Sequence, residues 1–286
     1  MIATLHRLAD SLESRMEDYW TCYRQGQRLE DEEDYNGAIA CYEAALLARP
    51  NDYWASYRKG STLAASGQYR EALETFDRVL EIRPDDYWTI YSYGCILLEE
   101  LNWFEAALDR FEKALELRPR DYWASYRKGD ALRHLQRYEA AIAAYDRALE
   151  RDRDDYWCWY RSGDAFRYLH RYEEALFRYD KALEIDPQAR WASYKKAESL
   201  RHLGRYAEAV ASYEKAIELD DRDPFAWYNQ ACCYALLGCL QEAVQSLQWA
   251  ISIDGDTYQS LARDDKDFDS IRDEPVFAAI VGTGGW

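Results

Sequence analysis

One stretch, Asp-Tyr-Trp-Ala-Ser-Tyr-Arg-Lys-Gly, occurs twice without change, at 52–60 and at 121–129. Looser copies begin at Tyr19-Trp20, Tyr87-Trp88 and Tyr156-Trp157, and a more divergent one begins at Arg190-Trp191. They divide the chain into seven repeats: 19–52, 53–86, 87–121, 122–155, 156–189, 190–223 and 224–257. All are 34 residues long except the third, which has 35. A period of this length demands a stack of small units, each too small to bury its own apolar side. That constraint overrides the length of 286 residues, which alone suggests about two globular domains.

Each repeat reads as two helices around a short break. In the second repeat the first helical pattern runs from Trp54 to Ala65, and Gly67 interrupts it. The second pattern places Tyr69, Ala72, Leu73, Phe76, Val79 and Leu80 on one face, and Pro84 stops it. Asp85 and Asp86 then stand where carboxylates satisfy the free N–H groups of the next helix. The extra residue of the third repeat is expected in the turn near Leu101-Asn102-Trp103.

The pattern resembles the tetratricopeptide repeat (TPR) over residues 19–257. Position 8 of the repeat is Gly26, Gly60, Gly94, Gly129 and Gly163, then Ala197 and Ala231. Position 20 is Ala38, Ala72, Ala107, Ala141, Ala175, Ala209 and Ala243, and position 27 is Ala or Val throughout. Small residues at these places let helices approach closely, with an aromatic at position 24 between them. The resemblance implies an all-α fold, an α-solenoid of seven helix-turn-helix repeats wound as a right-handed superhelix. Its concave face would be lined by the first helices, and its task would be to hold other proteins.

The chain departs from the family at one row. The usual TPR Trp belongs at position 4, but here the recurrent Trp is at position 2: Trp20, Trp54, Trp88, Trp123, Trp157 and Trp191, with Phe225 last. The fifth repeat carries both Trp157 and Trp159, so the position-2 residue is an addition. At about 100° per residue, positions 4, 8 and 11 share the face turned to the second helix. Positions 2, 5, 6, 9, 12 and 13 fall on another arc, which in the family is the groove. Position 5 is Tyr in every repeat, and position 6 is mostly basic. In repeats four to six the arc holds six basic residues, Arg127, Arg133, Arg161, Arg167, Lys195 and Arg201, against Asp130, Asp164 and Glu198. The candidate partner-binding residues are those six together with Trp123, Tyr126, Trp157, Tyr160, Trp191 and Tyr194. Exposed Trp rows mark binding surfaces, and Trp, Tyr and Arg dominate interface hot spots. His134 and His202, at position 13, would add charge at lower pH. Position 9 lacks Asn in every repeat, so the clamp with which chaperone-binding TPR domains grip a terminal carboxylate is not expected.

The ends must cover what the outer repeats leave bare. Residues 1–18 read as an amphipathic N-terminal helix or cap, with Ile2, Leu5, Leu8, Leu12 and Met16 on one stripe. Residues 258–286 drop the period and read as a C-terminal capping helix, followed by a flexible tail from Gly282 to Trp286.

Chemistry points away from an enzyme. Phosphate-cradling Gly loops, HExxH and GxSxG are absent, and the carboxylates repeat with the structural period. No cofactor or metal is expected: the seven Cys form no CxxC pair, and the adjacent Cys232 and Cys233 point about 100° apart on a helix. Reduced thiols and the lack of a leader-like apolar run suggest a cytoplasmic protein, and the segment Asp-Phe-Asp-Ser-Ile-Arg-Asp-Glu-Pro-Val-Phe resembles the closing segment of bacterial TPR proteins. A formal charge of −17 opposes binding to nucleic acid or anionic membranes. The expected function is a non-catalytic scaffold holding a protein or peptide segment, acidic and with aromatic or apolar anchors. The alternatives are a single-stranded nucleic-acid binder, whose bases would stack on the aromatics, and a self-assembling structural module.

Overall fold

The computed structural model describes residues 2–282, with side chains from residue 16 onward. The side chains of the stripe residues Ile2, Leu5, Leu8 and Leu12, and the whole of 283–286, therefore lie outside what is described. Helices account for nearly all of it, and among the described residues there is no strand. Two compact units are resolved, 1–136 and 137–286.

The first unit holds α1 (Ile2–Asp31), α2 (Tyr35–Ala48), α3 (Tyr53–Ala65), α4 (Tyr69–Ile82), α5 (Tyr87–Cys95), α6 (Phe104–Leu117) and α7 (Tyr122–His134). The second holds α8 (Tyr138–Leu149), α9 (Tyr156–Tyr168), α10 (Tyr172–Ile185), α11 (Arg190–His202), α12 (Tyr206–Leu219), α13 (Pro224–Leu236), α14 (Leu240–Ile253), α15 (Gly255–Asp264) and α16 (Pro275–Val281). Within each unit, helices adjacent in sequence pack on one another. The N-terminal segment is not a separate helix, because α1 runs unbroken from Ile2 through the start of the first repeat.

The turns between paired helices follow one rule. Residue 15 of every repeat has positive φ: Glu33, Gly67, Asn102 (allowing for the insertion), Gln136, His170, Gly204 and Gly238. Only three are Gly, which adopts this conformation at no steric cost. Glu33→Gly, at an exposed turn, is therefore expected to raise stability by about 1 kcal/mol. A denaturation midpoint that falls would contradict this. The extra residue of the third repeat lies one turn earlier than the sequence suggested. It is absorbed in a wide π turn at Ile96–Glu100, where the Leu101 N–H reaches back to the Ile96 carbonyl.

The core is a column of aromatics at position 24. Tyr42, Phe76, Phe111, Tyr145, Tyr179 and Tyr213 are all fully buried. The first two repeats are each latched, through their first residue, to the Asp that caps the next helix. The Tyr19 hydroxyl donates to Asp52, and the Tyr53 hydroxyl donates to Asp86. The same carboxylates accept the N–H of Ala55 and Thr89, so each Asp caps one helix and holds the preceding repeat. Arg49 lies over the Tyr19 ring, Arg83 over Tyr53 and Arg118 over Tyr87.

These phenols make the fold sensitive to alkali. Burial, then a carboxylate partner, raises the pKa of Tyr19, Tyr53 and Tyr87, and burial pushes Tyr156 up to about 12. A raised folded pKa contributes stability that is complete below the unfolded value of about 10 and is lost as pH climbs through the folded value. The melting temperature should fall steadily above about pH 10, with a shallower fall in Tyr53→Phe. Parallel curves for the two proteins would remove Tyr53 from the cause.

Candidate partner-binding face

In α3, α5, α7, α9 and α13 an Asp N-cap fixes where the first helix of the repeat starts, and hence where position 2 points. The Trp there is exposed in every case, from 45% at Trp20 to 57% at Trp54. In the first unit Trp20, Trp54, Trp88 and Trp123 each set an edge against the Tyr one residue before, with centroids 4.9–5.1 Å apart. In the second, Trp157 does the same to Tyr156 and meets Tyr160 edge-on at 6.0 Å, while Trp191 meets Tyr194 at 6.4 Å. Each Trp therefore rests on its own helix and leaves about half its surface to solvent.

The tyrosines at position 5 sit deeper. Tyr126 and Tyr194 are buried and Tyr160 is half-buried. Tyr160 and Tyr194 bridge the exposed row to the core through Tyr179 and Tyr213. The outer end of Tyr194 ties two repeats together: Asn229 donates to its hydroxyl at 3.0 Å.

The six basic residues do not form a free positive strip. Arg127 pairs with Glu99 at 2.6 Å and lies 3.7 Å from Asp130. Burial works against its charge, but Glu99 and the Tyr91 hydroxyl outweigh it, and its pKa lies above the usual arginine value. Arg133 is half-buried, with Nη2 3.1 Å from His134 Nε2. In the second unit Arg161 lies 5.8 Å from the Trp157 ring, Arg167 is 3.7 Å from Asp164, and Lys195 bonds Glu198 at 2.8 Å. Arg201 is held by Asp267, a residue of the C-terminal segment. The histidines stack flat on aromatic rings of the preceding repeat, His134 on Phe104 and His202 on Tyr172. Burial, then the neighbouring Arg201, lowers the His202 pKa, so acid does not readily charge it.

Two elements were missed from sequence. The latching tyrosines could have been found from the Asp-Tyr pair at the start of five repeats. The reach of Asp265 and Asp267 onto α11 and α13 had no periodic signal. The Tyr228 hydroxyl donates to Asp265 at 2.7 Å. Among the described residues, Cys232, Asp265 and Asp267 form the one group whose ligand atoms could converge on a metal. Arg201 already compensates its charge, and burial, then Asp265, raises the Cys232 pKa so that the thiol keeps its proton. This donor set does not fit a cation.

The helix pairs, the recurrent caps and the column of buried aromatics define an all-helical repeat solenoid. Tetratricopeptide-repeat models match residues 29–92 and 96–156, and a model described as anaphase-promoting complex, cyclosome, subunit 3 matches residues 168–250. No curated protein matches the chain. Among solved structures, YrrB, described as a TPR protein with an unusual peptide-binding site, is 25% identical. That alignment covers 64% of this chain and 94% of YrrB with a TM-score of 0.58. The C-terminal part of a TPR protein from Cytophaga hutchinsonii is 17% identical, covering 87% and 99% of the two chains, with a TM-score of 0.72. A TPR protein from Parabacteroides merdae is 18% identical, covering 86% and 97%, with a TM-score of 0.63. The chain is a tetratricopeptide-repeat protein.

Proposed function

We propose that the protein is a non-catalytic scaffold that holds a segment of another protein on the exposed Trp rows of its first helices. The observation that carries this reading is the recurrence of a half-exposed Trp at one position in six successive repeats. Six large apolar side chains left in water are costly unless a partner covers them. The peptide-binding site named for YrrB agrees with this class of function.

The ligand we infer offers apolar or aromatic anchors to the Trp residues and carboxylates to the bases beside them. Asp267 on Arg201 already makes the contact such a carboxylate would make. Because Arg127, Lys195 and Arg201 hold acidic partners within the chain, an incoming carboxylate exchanges with them. The Trp contacts therefore carry more of the affinity than charge does.

The test is recovery of a partner by the intact protein, compared with Trp157→Ala/Trp191→Ala and with Arg161→Glu. The double Trp variant should lose about 100-fold in affinity, from two hot-spot truncations, with helical circular dichroism unchanged. Arg161→Glu should slow association and change its salt dependence. Retention of affinity by the Trp variant would reject the aromatic face.

A further inference from the structure

Away from the Trp rows, a second feature repeats. Position 25, on the second helix of a repeat, carries a carboxylate that the following repeat answers. Lys59 bonds Glu43, Lys128 bonds Glu112 and Lys196 bonds Asp180. Arg178 bonds Asp146 at 2.6 Å, with its guanidinium 5.1 Å from the Trp159 ring. Trp159 is accordingly not a core residue: it is half-buried, walls a slot of about 500 Å³ with Asp146 and Lys181, and donates its indole N–H to the Arg153 carbonyl.

The slot between repeats six and seven has the same walls but no cation. Trp227 stands where Trp159 does, and its indole N–H likewise donates to a loop carbonyl, that of Asp221. Glu214 stands where Asp146 does. The places of the answering cations, position 7 and position 23, hold Gln230 and Ser246, which bond each other. Glu214 has no lysine or arginine partner among the described residues. The cavity grows to about 740 Å³, and no basic side chain lines it. Its rim adds Glu218, Asp220, Asp221 and Glu242. Trp249 stacks on Trp227 at 5.8 Å and is half exposed.

We propose that this cavity, formed by α12, α13 and α14, binds an arginine side chain of a protein partner. The chain shows the ligand's chemistry one slot away: a guanidinium bonded to the position-25 carboxylate and set against the position-4 indole. A planar guanidinium suits that pair better than an ammonium, because it stacks on the ring while donating in its plane to the carboxylate. The surrounding carboxylates draw a cation in and leave no internal competitor for it. The site is separate from the exposed Trp rows and opposite in charge preference, so either can fail without the other.

The probe is the peptide Gly-Arg-Gly-Arg-Gly titrated into the full chain, followed by the indole N–H signals of Trp227 and Trp249. Saturable shifts of both are expected, with the matching lysine peptide binding several-fold more weakly, roughly threefold or more. Glu214→Gln should weaken the arginine peptide by about fivefold. Ser246→Arg, which restores the internal cation of the neighbouring slot, should abolish binding. If Ser246→Arg does not fold, Trp249→Ala at a half-exposed position must weaken binding comparably. Trp157→Ala/Trp191→Ala should leave it unchanged. Absence of saturable shifts, equal binding of the lysine peptide, or an unchanged affinity in Glu214→Gln would overturn the proposal.

Discussion

Deleting the chain from residue 255 onward should lower the melting temperature by about 10 °C, the shift that loss of about 4 kcal/mol produces in a chain of this size. The reason is packing. Tyr258, Phe268, Ile271, Phe277 and Val281 are buried against Tyr228, Ala231, Cys232 and Leu247 of the last repeat. Removing them uncovers that apolar wall and frees Arg201 and Tyr228 from Asp267 and Asp265. In a solenoid each repeat is stabilised mainly by its neighbours, so the loss should begin at the seventh repeat and leave the first ones helical. Phe268→Ala/Phe277→Ala makes the same point without shortening the chain. Light scattering should rise for both variants as the wall becomes a site of association. A truncated protein that melts with the parent and stays monodisperse would show that the segment covers nothing the repeat needs.

The sequence made some levels of this structure legible and hid others for a definite reason. Intra-repeat faces follow from spacing along one helix. Trp123, Trp157 and Trp191 could therefore be placed on one arc by angle and on an open face by resemblance to the family, though Tyr126 and Tyr194 of the same arc are buried. Partners across repeats lie some 16 to 66 residues away, as in Lys59–Glu43 and Arg201–Asp267. Their pairing depends on two surfaces at once, which no single-helix pattern encodes. That is why Arg127 and Arg201 looked free in sequence while Glu99 and Asp267 engage them; Lys195 pairs within its own helix, with Glu198 three residues on. Trp159 lies on the face turned to the second helix, yet it is only half-buried, because a junction between repeats leaves that face an open slot. The insertion in the third repeat was located to within one turn, because a π turn and a longer loop add the same residue to the count.

The largest effect of a single side chain is expected at the core column. Phe76→Ala should cost about 3–5 kcal/mol, because a fully buried ring is removed and the surrounding helices cannot close the space. Trp54→Ala, at an exposed ring two positions into the same repeat's first helix, should stay within about 0.5 kcal/mol. The column also has a built-in size rule. A Cβ added at Gly60 would stand 2.5 Å from Phe76 Cε1 and 2.7 Å from Cδ1, so the ring must move. Gly60→Ala gains about 1 kcal/mol of helix propensity but incurs about 1–3 kcal/mol of overpacking, and the clash should win. The seventh repeat relieves the same crowding with a smaller Leu247 at position 24 facing Ala231 at position 8, whereas the sixth packs Ala197 with a full Tyr213. Phe76→Leu should therefore be destabilising alone, yet the double variant Gly60→Ala/Phe76→Leu should be more stable than the two single losses added together. A double-mutant cycle measured by denaturant unfolding should return a coupling of about 1 kcal/mol or more. Strict additivity would mean that the added methyl and the ring do not compete for the same space.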